Sequence, residues 1–273
     1  MADAANQSIR DSSSPVVEAL PAVTWLIATH VADAHLRASL QSCLAQTFTD
    51  FECLVIVNGD AVNEVAKQVQ EWFGHDVRLR VRRTSVRHLN FSLSLGLHLA
   101  RAPLVARMDA DDISLPDRLE RQVAFMHAHR GVAVLGSQYD VIDSKGKIIQ
   151  HMAMPTTHKA IKKRLMTGNP FCHPSVMFRR DVVLLAGGYL GGLYAEDYDL
   201  WARLCLNPRN EFANLAHTCL QYRSDGVGNA RGARLAYATM GAAQFKNFVA
   251  GSGWRWGVAA LISWCKAVFK AKP

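Results

Sequence analysis

The chain predicts an α/β fold built on a mainly parallel central sheet with helices on both faces. Strand-like apolar runs alternate with helix-like patterns from Val23 to Met108, as βα units require. A hydrophobic content of 49% is enough for a full core at 273 residues. Three of the runs stop abruptly in polar residues: Thr29-His30, Asn58-Gly59-Asp60 and Asp109 to Asp112. Ligands of open α/β sheets bind beyond such carboxyl ends.

The elements follow in order. Residues 1–21 are polar and form a flexible lead-in. Val23 to Ala28 is the first strand, and Leu36, Leu40, Cys43 and Leu44 mark an amphipathic helix. Phe51 to Val57 is the second strand, followed by helical spacing at Val62, Val65, Val69 and Trp72. Val77 to Arg82 alternates strictly, which predicts a strand exposed on one face. A leucine-rich helix over Ser92 to Ala100 leads into a strand from Pro103 to Met108. Pro116 opens a helix carrying Leu119, Val123 and Met126, proline being favoured at the first helical position. Val132 to Ile142 is a strand, Asp143 to Lys147 a hairpin turn, and His158 to Met166 a short basic helix. A rigid loop, Asn169 to Pro174, precedes a strand at Ser175 to Phe178. Glu196-Asp197-Tyr198-Asp199 heads a further helix, and Ala213 to Tyr222 is the last strand.

Charge is placed unevenly. The net +8 resides almost wholly in Arg223 to Pro273, which holds eight Lys or Arg and one acid, Asp225. Such a tail calls for an anionic partner. Its last helix puts Trp254, Val258, Leu261, Ile262, Cys265 and Phe269 on one stripe, with Arg255, Ser263, Lys266 and Lys270 opposite. That pattern suits an anionic membrane surface rather than nucleic acid. Docking of the same helix on the core is the competing expectation. The segment is too short and too charged to span a bilayer. The six cysteines show no metal-ligand spacing and most sit in apolar runs, as buried small hydrophobes do in a reduced compartment. With no secretory leader visible, the expected location is cytoplasmic, with peripheral attachment at the inner face of the plasma membrane.

Asp109, Asp111 and Asp112 place three carboxylates within four residues at a strand end. They repel at neutral pH unless a cation or hydrogen-bond donors intervene. Oxygen ligands of this kind suit Mg²⁺ or Mn²⁺ shared with a substrate phosphate. A helix N-terminus would equally account for Asp112, though not for Asp109.

The chain resembles the family 2 inverting glycosyltransferases of GT-A fold. Six elements carry the resemblance, in order: Val23 to Thr29, Gln46 to Glu52, Met108 to Ile113, Pro116-Asp117-Arg118-Leu119, His173 to Met177, and Glu196 to Trp201. It implies transfer of a sugar from a nucleotide-diphosphate sugar to a hydroxyl of a glycan or lipid-linked acceptor, in cell-surface polysaccharide synthesis. It implies a Mn²⁺ or Mg²⁺ ion on Asp111, shared with Asp112 and supported by Asp109. It makes Asp197 the general base, with Glu196 beside it. Thr29, Asn58, His173 and Arg223 join Asp109 and Glu196 as substrate-binding candidates. Arg83, Arg87 and His88 are within sequence reach of the diphosphate, and a loop with Arg223, Gly226, Gly228, Arg231 and Gly232 could close over the donor. The implied organisation is a nucleotide-sugar-binding half over 22–115, an acceptor-binding half over 116–228 and a basic helical tail over 229–273.

The chain departs from the family where two acids usually precede the glycine of the second strand end. Val57 and Asn58 stand there, which leaves the nucleotide base open. Three other readings compete. A non-catalytic sugar-nucleotide or glycan-binding scaffold would not need Asp197. A D-x-D metal phosphatase would carry its motif after an early strand. A nucleotidyl transferase would want glycines between Thr29 and Leu36, and none is present.

Overall fold

A computed structural model of the chain describes residues 20–192, 194–224 and 230–269, with 230 and 231 by backbone alone. The lead-in over 1–19, Gly226, Gly228, Lys270 and the side chain of Arg231 lie outside the described residues.

The chain opens β1 (Val23–Thr29), α1 (Ala34–Leu44), β2 (Phe51–Asn58), α2 (Val62–Phe73), β3 (Leu79–Thr84), α3 (Leu89–Leu99) and β4 (Leu104–Met108). It continues through β5 (Ile113–Ser114), α4 (Arg118–Ala128), β6 (Val132–Ile142), β7 (Ile148–Met152) and α5 (His158–Leu165). A single 3-10 turn at His173–Ser175 leads to β8 (Met177–Arg179), α6 (Arg180–Leu185), α7 (Glu196–Leu204) and β9 (Glu211–Arg223). Two helices finish it, α8 (Ala230–Val249) and α9 (Trp254–Phe269).

One sheet runs in the order β3-β2-β1-β4-β8-β6-β9-β5, with β7 paired to β6. The strands β3, β2, β1 and β4 are parallel neighbours. Beyond β4 the sheet is mixed: β8 is antiparallel to β4 and β6, and β9 is parallel to β6.

Strand alternation feeds two cores. Trp25, Ile27, Val55 and Val57 face α1, α2 and α4, joining Leu40, Val69 and Leu119. Leu26, Leu54 and Ile56 face the other way, joining Leu97 of α3, Trp201 of α7 and Met240 of α8. Strands covered on both sides read as unbroken apolar runs, which is why β1 and β2 were legible. Gly96 lets α3 sit directly on β1, since a Cβ there would lie 2.2 Å from Leu26 Cδ1.

Several expected boundaries move, each for a local reason. β3 starts at Leu79, not Val77, because the Asp76 carboxylate accepts from the Arg78 N–H and guanidinium and holds a turn. Pro116 precedes α4 by two residues, in a turn closed by the Arg118 N–H on the Leu115 carbonyl. Its carbonyl accepts from Thr47, and the Gln46 side chain bonds both Leu115 O and the Leu119 N–H. Two sequence elements far apart, Gln46-Thr47 and Pro116 to Leu119, are thus one contact.

The C-terminal helix docks by one side and leaves the expected apolar stripe uncovered. Trp256, Ala259, Ala260 and Ser263 of α9 are buried, whereas Trp254, Val258, Leu261, Ile262, Cys265 and Phe269 remain exposed. Ser263, expected on the polar face, instead turns inward and donates to Gln244 Oε1 at 2.7 Å. Among the described residues no helix is long and apolar enough to cross a membrane.

Candidate active site

Three polar strand ends meet at one edge of the parallel half-sheet, as their register requires. β1 ends in Thr29, whose hydroxyl donates to Val31 O at 2.7 Å and closes the turn that follows. β2 ends in Asn58, buried and paired in register with Thr84. Gly59 then takes φ +97°, a conformation that favours glycine, and the aliphatic part of Arg87 packs over it. Arg83 is occupied by Asn63 at 2.8 Å.

β4 ends one residue before Asp109, so the three aspartates form a turn rather than a strand. One carboxylate oxygen from each of Asp109, Asp111 and Asp112 lies within 4.8 Å of the others. Ser39 donates to the Asp109 carbonyl at 2.8 Å and fixes the turn against α1. Asp112 does not head a helix: the short β5 intervenes, and α4 begins six residues later. Its Oδ1 accepts from the Arg223 N–H at 2.7 Å, and its Oδ2 is buried with no hydrogen-bond partner among the described residues. Burial, and then Asp109, push the Asp112 carboxyl up to about 8. Desolvation and Asp109 raise Asp111 in the same way. An orphaned carboxylate oxygen among repelling acids, all hard oxygen donors, is a set that fits a divalent cation.

Arg223 is tied down by backbone groups. Its Nε donates to Asp111 O at 2.9 Å and its Nη1 to Asp143 O at 2.9 Å. The side chain braces the aspartate turn against the β6–β7 hairpin.

A second set faces the first. One ligand-type atom from each of His173, Glu196 and Asp197 also lies within 4.8 Å of the others. Glu196 and Asp197 open α7, after Ala195 in the left-handed region at φ 57°. Asp197 Oδ1 accepts from the Tyr198 N–H at 2.8 Å, and Oδ2 accepts from Asn169 Nδ2. Burial holds the Asp197 carboxyl above its ordinary value, although both donors favour the charged form. The helix N-terminus therefore does not by itself keep Asp197 strongly acidic. Burial, and then Asp197, lift Glu196 to about 7. His173 is buried between Tyr189, 2.9 Å from its Nε2, and Glu196, 3.7 Å from its Nδ1. Burial, helped by Arg107, holds this imidazole well below its usual range, hence neutral. His173 thus stands with Glu196 and Asp197 rather than with the aspartate turn. Trp201 is core, edge-on to Phe171 and His173. Asp199 is buried between Arg203 and Lys246.

Four residues of the site gave little warning in the sequence. Arg107 is 2% exposed and lies between the two sets. Its Nη2 is 2.5 Å from Asp109 Oδ1, and its Nε and Nη1 are buried without hydrogen-bond partners among the described residues. The only signal was a cation inside an apolar strand. Arg118, fully buried over the Trp25 ring, donates to Arg107 O and Pro174 O at 2.8 Å each. It welds the aspartate strand to the His173 turn. Asn169 orients Asp197 from a loop that sequence marked only as rigid. Asn90 reaches from α3 to the carbonyls of Gly191 and Gly192 and anchors the loop ahead of α7.

A parallel half-sheet ending in an aspartate turn, faced by a buried acid at a helix start, defines a glycosyltransferase of GT-A fold. The chain belongs to glycosyl transferase family 2, whose model matches residues 24–185. It is 34% identical to the O-antigen biosynthesis glycosyltransferase WbnJ of Escherichia coli, over 92% of this chain and 98% of that one. It is 32% identical to the amylovoran biosynthesis glycosyltransferase AmsE of Erwinia amylovora, over 72% and 74% of the two chains. S. aureus TarS 1–349 in complex with UDP-GlcNAc superposes with a TM-score of 0.63 at 14% identity, over 90% of this chain and 81% of that one. The mannosyltransferase PcManGT from Pyrobaculum calidifontis, in complex with GDP-Man and Mn²⁺, gives 0.61 at 14% identity, over 93% and 75%. At that identity the likeness is one of fold.

Proposed function

We propose that the chain transfers a sugar from a nucleotide-diphosphate sugar to a hydroxyl of a glycan or lipid-linked acceptor, with inversion, in cell-surface polysaccharide synthesis. The observation that carries the reading is the pairing of two carboxylate sets, one suited to a cation and one holding a single buried base. The names of WbnJ and AmsE support the polysaccharide context. The ligands of TarS and PcManGT support a nucleotide-sugar donor, of uridine or guanosine type, and Asn58 leaves that choice open.

Asp111 and Asp112, supported by Asp109, would hold a Mn²⁺ or Mg²⁺ ion. When bound, the ion neutralises charge on the departing diphosphate. Asp197 takes the proton of the acceptor hydroxyl as that oxygen bonds to the anomeric carbon. The bond from that carbon to the diphosphate breaks on the opposite face, so one displacement inverts the centre. Asn169 and the Tyr198 N–H keep the Asp197 carboxylate aimed. Neutral His173 and Glu196 line the same side. In this reading residues 22–115 bind the donor, 116–228 present the acceptor side, and the basic helical tail meets an anionic membrane surface.

A thermal-shift screen of UDP-, GDP- and dTDP-sugars with and without Mn²⁺ tests this, since a bound ligand stabilises the fold by mass action. One nucleotide family should raise the melting temperature, and more so with Mn²⁺. No shift with any sugar nucleotide in either condition contradicts the reading.

A further inference from the structure

α8 and α9 form a close hairpin with an apolar outer face. The helices pack closely where Gly241 lies under Trp264 and Gly257 lies against the Phe248 ring, with added Cβ atoms 2.3 Å and 3.3 Å from those side chains. On the outside, Trp254 is 69% exposed, Leu261 61% and Phe269 77%. Phe245, Phe248 and Val249 of α8 extend the same face, so it is wider than the stripe of α9 alone. Two shallow apolar grooves, of about 320 and 360 Å³, meet at Leu261. An exposed patch of this kind marks an interaction surface.

Charge selects the occupant. From 226 to the C-terminus the sequence holds seven Lys or Arg and no acid. Arg255 lies over the Trp254 ring at 5.9 Å and Lys266 over Tyr237 at 5.6 Å, at the margins of the apolar face. Aromatic and aliphatic side chains framed by basic ones match the boundary of an anionic bilayer. A second copy of the chain would instead bring two such cationic faces together.

The hairpin is also fixed to the helix that carries the base. Gln244 Nε2 donates to Tyr198 OH at 2.7 Å, Asn247 Nδ2 to Ala202 O at 2.9 Å, and Lys246 Nζ to Asp199 Oδ1 at 3.0 Å. All three partners lie on α7, beside Glu196 and Asp197.

We propose that the outer face of the α8–α9 hairpin lies in the interface of an anionic lipid bilayer and fixes α7, with Asp197, at a set orientation to it. The surface stands on its own geometry; its use in bringing Asp197 to a lipid-linked acceptor rests on the transferase reading.

Sedimentation of the full chain with vesicles tests the proposal. Equimolar phosphatidylcholine–phosphatidylglycerol vesicles should carry the protein down at low salt and release it at high salt. Phosphatidylcholine vesicles should not. The double variant Trp254→Ser, Leu261→Ser alters only exposed side chains, so its melting temperature should hold while its partitioning falls about tenfold or more. Three results overturn the proposal: no binding to anionic vesicles, equal binding to neutral ones, or undiminished binding by the double variant. So does a concentration-dependent doubling of mass that the double variant abolishes, which would assign the face to a second copy. Nucleotide-sugar thermal shifts on the same preparations are read separately. Vesicle binding without any such shift leaves the surface standing and removes the transferase reading.

Discussion

Arg107 and Asp109 form a 2.5 Å ion pair at the end of β4, and the Nε and Nη1 of the same guanidinium have no hydrogen-bond partner among the described residues. Burial opposes the charge on Arg107, yet Asp109, then Tyr189 and Glu196, outweigh it and hold the group firmly protonated. One buried cation thus balances acids from both halves of the site. Arg107→Met should leave Asp109, Glu196 and Asp197 without it, costing up to ~3 kcal/mol of stability, the scale of breaking a buried pair. Chemical denaturation measures that loss. Arg107→Lys should recover much of the stability but less of the turnover, because a point charge cannot replace a planar fork.

Asn169 is expected to set the pH at which Asp197 works. The base must be ionised, so activity falls as pH drops through its folded pKa. Burial already places that value above the ordinary aspartate range, and Asn169 pulls it back down by bonding the charged form. Asn169→Ala should therefore move the acid limb of the kcat profile to higher pH, with the alkaline side little changed. A limb that stays put, with a uniform loss of rate, would assign Asn169 to packing alone.

Metal binding should be proton-linked through Asp112. Its carboxyl lies near 8 in the ion-free fold because burial, and then Asp109, penalise the charge. Ligation requires the carboxylate, so Mn²⁺ affinity should rise from pH 6 towards and through about 8, with about one proton released per ion. The stability linkage has the opposite sign. The folded pKa lies above the unfolded value, so the ion-free protein binds this proton more tightly than the unfolded chain. Its stability should fall as pH rises between those two values. Asp112→Asn should flatten both dependences, as calorimetric titration and melting at several pH values will report.

Much of this architecture was legible before any coordinates. β1, β2 and β4 are short apolar runs closed by polar residues, and covered parallel strands leave no other pattern. The aspartate turn and Glu196-Asp197 stood out because clustered acids are costly to place. What escaped was of a different kind. Arg107, Arg118 and Asn169 act through partners distant in sequence, and a single cation or amide carries no periodicity. Arg118 sits in a recognised element, yet its burial over Trp25 depends on β1 and β4 being neighbours. Boundaries slipped where a side chain closes a turn, as Asp76 does before β3. The stripe of α9 was visible, but not that Trp256 and Ser263 on its other side dock the helix while leaving the stripe bare.

The central claim is that Asp197 takes the acceptor proton while a separate carboxylate set holds the donor. Asp197→Asn keeps the size and one of the two accepted hydrogen bonds but removes the base, so it separates the two. The decisive measurement pairs donor-sugar turnover with donor affinity in Mn²⁺ for this variant. Turnover should fall by at least about 10²-fold, the usual contribution of a positioned base, with donor affinity within about twofold of the parent. Turnover near that of the parent, or an equal collapse of donor affinity, would contradict the assignment.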